Sequence, residues 1–91
     1  MNLDQIFLYD NYPKLDLHGI TRDIARVMVD DFIDDNLKMK NEIVVIVHGI
    51  GSGILKDEVL KTLKMNKKVI DYKLGYNNTG CTIVKLNLTN K

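Results

Sequence analysis

Apolar residues recur along this chain with two periods, and the two periods alternate. One is the two-residue alternation or continuous apolar run of a strand, and the other is the 3.6-residue stripe of an amphipathic helix. These patterns predict strands over residues 14–18, 42–48, 69–74 and 81–88 and helices over residues 22–37 and 54–65. The resulting order is β-α-β-α-β-β, with two helices on one sheet.

The predicted connections define the form of that sheet. A helix between the first two strands implies parallel pairing through a right-handed crossover. Residues 76–80 are turn formers that join the last two strands as an antiparallel pair. We therefore predict an α/β fold, a two-layer sandwich with a four-stranded mixed sheet. A length of 91 residues allows a single domain with one core.

The second strand is apolar on both faces, which a two-layer sandwich does not explain by itself. Its side chains divide into Val44 and Ile46 on one face and Ile43, Val45 and Val47 on the other. Helices cover only one face of such a sheet, so the other face needs a different cover. We predict that Ile6–Tyr9 supplies it, as part of an N-terminal extension over residues 1–13 that precedes a domain over 14–88. A weak homodimer is the alternative to a monomer covered in this way.

A glycine-rich segment separates the second strand from the second helix. It reads His48-Gly49-Ile50-Gly51-Ser52-Gly53, and Lys56 follows in the first turn of the helix. Glycines let backbone N–H groups converge, and a helix N-terminus adds partial positive charge, so the segment suits a phosphate oxygen. The alternative is a tight turn with a hydrogen-bonded histidine. The G-x-G-x-G spacing matches neither the dinucleotide nor the phosphate-loop fingerprint, which disfavours nucleotide cofactors.

Titratable side chains gather at one predicted edge of the sheet. Parallel strands end at the same edge, so His18 and His48 are expected side by side, with Asp16 on the same strand face as His18. The histidines suit acid–base cleavage of a phosphodiester, with Asp16 orienting His18 or stabilising its charge. The alternatives are a metal site, because two histidines and a carboxylate are a known ligand set, and histidines that only cap strand ends. We favour acid–base chemistry and predict no cofactor.

Charge is divided unevenly between the two halves of the chain, although the net charge is only +1. Residues 1–42 hold nine acids and five bases, whereas residues 43–91 hold eight lysines and three acids. Most of these lysines follow the glycine-rich segment, where they would attract a polyanion. A solvated helix face explains the same lysines equally well.

The single cysteine, Cys81, excludes an internal disulfide and agrees with a reducing cytoplasm. It lies in an apolar strand, where a buried thiol is expected rather than a nucleophile. The first residues lack the basic stretch of a secretory signal, and no apolar run approaches the roughly 20 residues of a membrane helix. The sequence therefore predicts a cytoplasmic protein that does not enter a membrane.

Three segments together resemble the signatures of the Smr (small MutS-related) domain family. They are Leu15-Asp16-Leu17-His18-Gly19, His48-Gly49-Ile50-Gly51-Ser52-Gly53 and Thr79-Gly80-Cys81-Thr82-Ile83-Val84-Lys85-Leu86. The resemblance covers residues 14–88 and implies a sandwich like the C-terminal domain of bacterial translation initiation factor 3. It also implies that the last strand inserts beside the second, in the sheet order 1-2-4-3.

The same resemblance implies a domain that binds nucleic acid and nicks or cleaves DNA or RNA, in some relatives on ribosomes. The predicted catalytic residues are Asp16, His18 and His48, and the predicted phosphate-binding residues are Gly19, Gly49, Ile50, Gly51, Ser52, Gly53 and Lys56. In that family the position of Ile50 is usually Lys or Arg, so the resemblance implies that a cationic phosphate contact is absent here. Two hypotheses remain, an endonuclease and a non-catalytic module that binds structured nucleic acid or a ribosome.

Overall fold

Four strands and two helices follow one another in the order that the sequence predicts. The computed structural model describes residue 3 and residues 11–51, 53–75 and 80–88. The elements are β1 (Lys14–Asp16), α1 (Arg22–Lys38), β2 (Ile43–Val47), α2 (Ile54–Met65), β3 (Val69–Leu74) and β4 (Cys81–Leu86). Within the described residues, neither helix is long and apolar enough to cross a bilayer.

The strands form one mixed sheet in the order β1-β2-β4-β3. β1 pairs in parallel with β2, and β4 lies antiparallel between β2 and β3. This arrangement confirms the predicted α/β sandwich and its strand order. The central strands β2 and β4 are almost entirely buried, whereas β1 and β3 at the edges are partly exposed.

Both helices pack on one face of the sheet. α1 contributes Ala25, Val29 and Ile33, and α2 contributes Val59 and Leu63, each at most 1% exposed. These side chains recur every three or four residues, so each helix presents one apolar stripe. From the sheet and its margins they meet Leu17, Val44, Ile46, Val84 and Leu86. Removing this apolar surface from water is the main force that holds the two layers together.

A second, smaller cluster forms on the opposite face of the sheet. Leu3 packs there with Ile43 and Ile83 and is only 3% exposed, and Tyr12 packs against the same cluster. Residues from the N-terminal extension therefore cover part of the face that the helices leave open. Ile6–Tyr9, for which the sequence predicts this role, lies outside the described residues.

β1 ends two residues earlier than the alternating pattern predicts. The Asp16 carboxylate accepts a hydrogen bond from the backbone N–H of His18 at 2.9 Å, and Gly19 adopts a φ of 77°. This Asx-type turn bends the chain away from the sheet. The Leu17 N–H still donates to the Val47 carbonyl at 2.8 Å, so the main-chain pairing outlasts the strand by one residue.

The second cluster yields a prediction about stability. Replacing Leu3 with Ala should lower the free energy of unfolding by about 2–3 kcal/mol, because the substitution empties a buried site. Leu88→Ala is the matched control, because Leu88 is 40% exposed and its truncation should cost about 0.5 kcal/mol or less. Urea unfolding followed by circular dichroism measures both. Equal losses in the two variants would show that Leu3 does not belong to the core.

Candidate functional site

The carboxyl ends of β1 and β2 meet at one edge of the sheet. Asp16 lies opposite Val47 in the parallel register, so the segments that begin at His18 and His48 leave neighbouring strands together. α2 begins a few residues later, at Ile54. The structure therefore gathers the first two predicted motifs at the edge where ligands of open α/β sheets bind.

The His48 side chain lies in the protein interior and is hydrogen-bonded at both ring nitrogens. It is 5% exposed, with Nδ1 2.9 Å from the Gly49 carbonyl oxygen and Nε2 2.9 Å from the Thr82 hydroxyl oxygen. A carbonyl only accepts, so Nδ1 carries the proton, and in the neutral ring Nε2 accepts from the Thr82 hydroxyl. His48 thus connects the start of the glycine-rich segment to β4.

Thr82 is the residue that the sequence-based site does not include. Its side chain is fully buried at 0% exposed, and it pairs with Ile46 across the sheet. A buried hydroxyl is nearly always hydrogen-bonded. In the sequence, only the position of Thr82 between apolar residues of a strand indicates a buried, hydrogen-bonded hydroxyl. That position does not identify the partner of the hydroxyl.

His18 differs from His48 in its surroundings. Its side chain is exposed, and among the described residues no side chain or backbone group hydrogen-bonds its ring. The sequence predicts that Asp16 orients His18 or stabilises its charge. The observed contact is between the Asp16 carboxylate and the backbone N–H of His18, so Asp16 positions the main chain and leaves the imidazole in solvent.

The glycine-rich segment, called here the glycine loop, is described at residues 48–51 and 53, between β2 and α2. Gly49 and Gly53 adopt φ values of 83° and 86°, which are strained for residues with a Cβ atom. The N–H groups of His48 and Gly49 both donate to the Gly80 carbonyl, at 2.9 and 2.8 Å. The Gly49 N–H is therefore used inside the protein, and Ser52 lies outside the described residues.

Other backbone donors of this region point to no acceptor within the described chain. They include the N–H groups of Ile50 and Gly51 in the loop. At the start of α2, Gly53 is the N-cap without a side-chain capping bond, and the first intrahelical bond is Asp57 N–H to the Gly53 carbonyl at 2.9 Å. The Leu55 and Lys56 N–H groups precede that bond.

These donors border a shallow recess of about 200 Å³. Its lining consists of His48, Gly49, Ile50, Gly51, Gly53, Ile54, Leu55 and Lys56. Open N–H groups at a helix N-terminus attract anions, and the half-buried Lys56 adds a positive charge. Six of the seven predicted phosphate-binding residues are described: five of them line this recess and the sixth, Gly19, lies at the end of the neighbouring strand.

Asp16, His18 and His48 are not grouped as ligands of one metal ion in the part of the chain that the structure describes. Within the described residues, no group of three or more His, Cys, Asp or Glu side chains is arranged to hold a metal ion. The reason is visible in the contacts, because both nitrogens of His48 are occupied and the Asp16 carboxylate binds a backbone N–H.

A larger groove of about 540 Å³ lies away from this edge, between α1 and α2. Two of the acidic side chains of α1 on this groove are hydrogen-bonded to residues that follow α2. Lys68 Nζ is 2.6 Å from an Asp34 carboxylate oxygen, and Asn66 donates to Asp30 at 3.1 Å. Lys68, from the basic half of the sequence, thus neutralises an acidic side chain on the outer face of α1. We interpret the groove as solvated polar surface.

Cys81 is buried in β4 at the end that faces the site. It is 2% exposed, and burial raises the pKa of its thiol above the ordinary value. A hydrogen bond with the Gly75 backbone and the charge of Lys14 act in the opposite direction with smaller effect. The thiol therefore stays protonated at neutral pH and is not a nucleophile.

Comparison with known proteins gives consistent matches. Residues 15–87 match the family described as the Smr domain. The chain is 39% identical over 74 residues to Endonuclease MutS2 of Streptococcus suis, which covers 78% of this chain and 10% of that protein. It is 38% identical over 77 residues to Endonuclease MutS2 of Caldanaerobacter subterraneus, covering 81% of this chain and 10% of that protein. The chain thus spans about a tenth of the length of these relatives.

Two solved structures share the fold. The Smr domain of Thermus thermophilus MutS2 superposes with a TM-score of 0.80 and 25% identity, over 81% of this chain and 96% of that one. YdaL, a stand-alone small MutS-related protein from Escherichia coli, superposes with a TM-score of 0.76 and 26% identity, over 82% of this chain and 66% of that one.

The contact between His48 and Thr82 can be tested by substitution. Thr82→Val keeps the shape but leaves Nε2 of His48 buried without a partner, which should cost about 1–3 kcal/mol of stability. Thr82→Ser retains the hydroxyl and should keep the bond. Nitrogen NMR of the His48 ring reports the bond directly, and we expect Nε2 and the Gly49 amide to shift in the valine variant only. Unchanged resonances in that variant would contradict the contact.

The buried thiol yields a second prediction. Iodoacetamide at pH 8 should alkylate Cys81 about 100-fold or more slowly in the folded protein than in urea, because the folded thiol is protonated and covered. The unfolded chain loses this proton first as the pH rises, so this group lowers stability above the ordinary thiol pKa. Cys81→Ala should remove that part of the pH dependence. Equal alkylation rates in buffer and urea would disprove the burial.

Proposed function

Because this chain belongs to the Smr domain family, we propose that it binds nucleic acid where β1, β2 and α2 meet and cleaves a phosphodiester there. One observation carries the proposal. Open backbone N–H groups of the glycine loop and α2 lie at the same edge of the sheet as the exposed imidazole of His18. The similar proteins named Endonuclease MutS2 support the cleavage half of the proposal. The nucleic acid is DNA or RNA.

Binding depends on backbone groups more than on side-chain charge. The N–H groups of Ile50, Gly51, Leu55 and Lys56 supply donors for phosphate oxygens, and the dipole of α2 favours a negative charge at the same place. Lys56 adds one ammonium group at the recess. The Leu55 and Lys56 donors belong to the first turn of α2, so they need little rearrangement when a phosphate arrives and are suited to the charge that develops during phosphoryl transfer.

In the proposed reaction His18 acts as general base. Its imidazole takes a proton from water as the water oxygen attacks phosphorus, the bond from phosphorus to the leaving sugar oxygen breaks, and that oxygen takes a proton from solvent. Asp16 holds the main chain of His18 in place through the 2.9 Å bond to its N–H. The proposal assigns His48 to positioning the loop. Proton transfer by His48 itself stays a prediction, since it requires one of two buried bonds to open.

A non-catalytic binding module is the second candidate, and two observations favour it. His48 is bonded at both nitrogens, which leaves a single exposed imidazole for proton transfer. Ile50 stands where the family resemblance implies a cation, so a charge that would stabilise the transition state is absent. Such a module would bind structured nucleic acid, or a ribosome, through the same edge without cutting it.

Plasmid nicking and RNA cleavage, each with and without a chelator, test the proposal. If His18 is the base, His18→Asn should slow cleavage by about 100-fold or more while the dissociation constant changes little. Met39→Ala, at the C-cap of α1, should leave both quantities unchanged. Binding without cleavage by the unaltered protein selects the second candidate. A protein that binds neither DNA nor RNA would refute the proposal.

A further inference from the structure

Two exposed isoleucines stand at the recess of the glycine loop. Ile50 is 71% exposed and Ile54 is 56% exposed, and both line the same concavity of about 200 Å³ as the open N–H groups. Single exposed apolar residues are ordinary on protein surfaces. Two β-branched side chains beside a set of unused donors are less ordinary, because they make one small surface that is both apolar and hydrogen-bonding.

A phosphate group alone does not account for this surface. Bringing a phosphate against Ile50 strips water from a charge and returns no hydrogen bond from the side chain. The outside of a duplex offers mainly phosphates and sugars, and its bases present only their edges. An unpaired nucleotide offers both halves of the complementary surface, a phosphate for the N–H groups and an apolar base face for the isoleucines.

The size of the recess agrees with the base of one such nucleotide. Pockets that enclose a whole small molecule usually exceed about 300 Å³, so a recess of about 200 Å³ holds a fragment such as one base. Its lining includes a single charged side chain, Lys56. One cation and a few backbone donors contact few phosphates, so salt should weaken binding only slightly.

We propose that the recess binds an unpaired nucleotide, with a phosphate on the donors of the loop and α2 and the base against Ile50 and Ile54. This inference rests on the proposed nucleic-acid binding and assigns its substrate class, which is a strand with an unpaired base at the site. In this proposal the Ile50 side chain contacts a base, whereas a Lys or Arg at the same position would contact a phosphate.

Three fluorescent probes separate base contact from phosphate contact. They are a single strand of 20 thymidylates, the same backbone with abasic sites throughout, and a 20-base-pair duplex, measured by anisotropy with the full chain. The thymidylate strand should bind about three- to tenfold more tightly than the abasic strand, as expected for burying apolar surface on a base. The duplex should resemble the abasic strand.

Substitutions then assign the preference to the recess. Ile50→Ala and Ile54→Ala should reduce thymidylate affinity towards the abasic value and leave abasic affinity unchanged. Ile70→Ala is the matched control, because Ile70 is 54% exposed but lies in β3, away from the recess. Ile50→Lys should raise affinity for the abasic strand and the duplex, and steepen the slope of log affinity against log salt by about 0.7–0.9.

The outcomes are distinct. Equal affinity for thymidylate and abasic strands would overturn this inference and leave the proposed function standing. A preference for thymidylate that survives both isoleucine variants would also overturn it. Failure to bind all three probes and the corresponding RNA strands would overturn the proposed function together with the inference. Light scattering that shows a dimer dispersed by Ile50→Ala would assign the isoleucines to a second copy of the chain and overturn the inference as well.

Discussion

The hydrogen bonds between β4 and the end of β2 are the constraint on which the site depends. The Gly80 carbonyl accepts from the N–H groups of both His48 and Gly49, and the Thr82 hydroxyl meets the His48 ring. These bonds exist because β4 inserts beside β2 in the sheet. If β4 lay at an edge, the bonds from His48 and Gly49 to Gly80 and from the His48 ring to Thr82 could not form.

This constraint divides the edge of the sheet into a rigid and an open part. His48, Gly49 and Thr82 are buried or bonded within the protein, so they hold the loop, and their bonded N–H, ring and hydroxyl groups are not open to a ligand. Ile50, Gly51 and the first turn of α2 face outward with donors and apolar surface. A site built in this way presents groups in fixed positions, which reduces the ordering that a ligand must induce. His18 adds a titratable group at the end of the neighbouring strand.

Much of this arrangement could be predicted from the sequence, because periodicity reports burial. The four strands, both helices, the mixed sheet and the side-by-side ends of β1 and β2 all follow from apolar spacing and connection rules. The insertion of β4 beside β2 was predicted from the family resemblance, because residue spacing alone does not determine the order of antiparallel strands in a sheet. Helix bounds agreed to within a residue, whereas β1 ended early because a side-chain hydrogen bond from Asp16 competes with the strand.

The roles of individual polar residues were harder to predict, because they depend on contacts between distant parts of the chain. His18 and His48 are alike in sequence, each followed by glycine at a strand end, yet one is exposed and the other is 5% exposed. The buried partner of His48 is Thr82, 34 residues away, and no local pattern joins the two. The N-terminal cover was predicted from surplus apolar surface on β2, but the contact that the structure describes is made by Leu3.

The central claim is that nucleic acid meets this chain at the glycine loop and the start of α2. Titrating ¹⁵N-labelled protein with a short single-stranded oligonucleotide, followed by amide NMR, tests it most directly. We expect the largest amide shifts at Ile50, Gly51, Leu55 and Lys56, with smaller ones at His18. Shifts confined to the groove between α1 and α2, around Arg26 and Lys61, would contradict it.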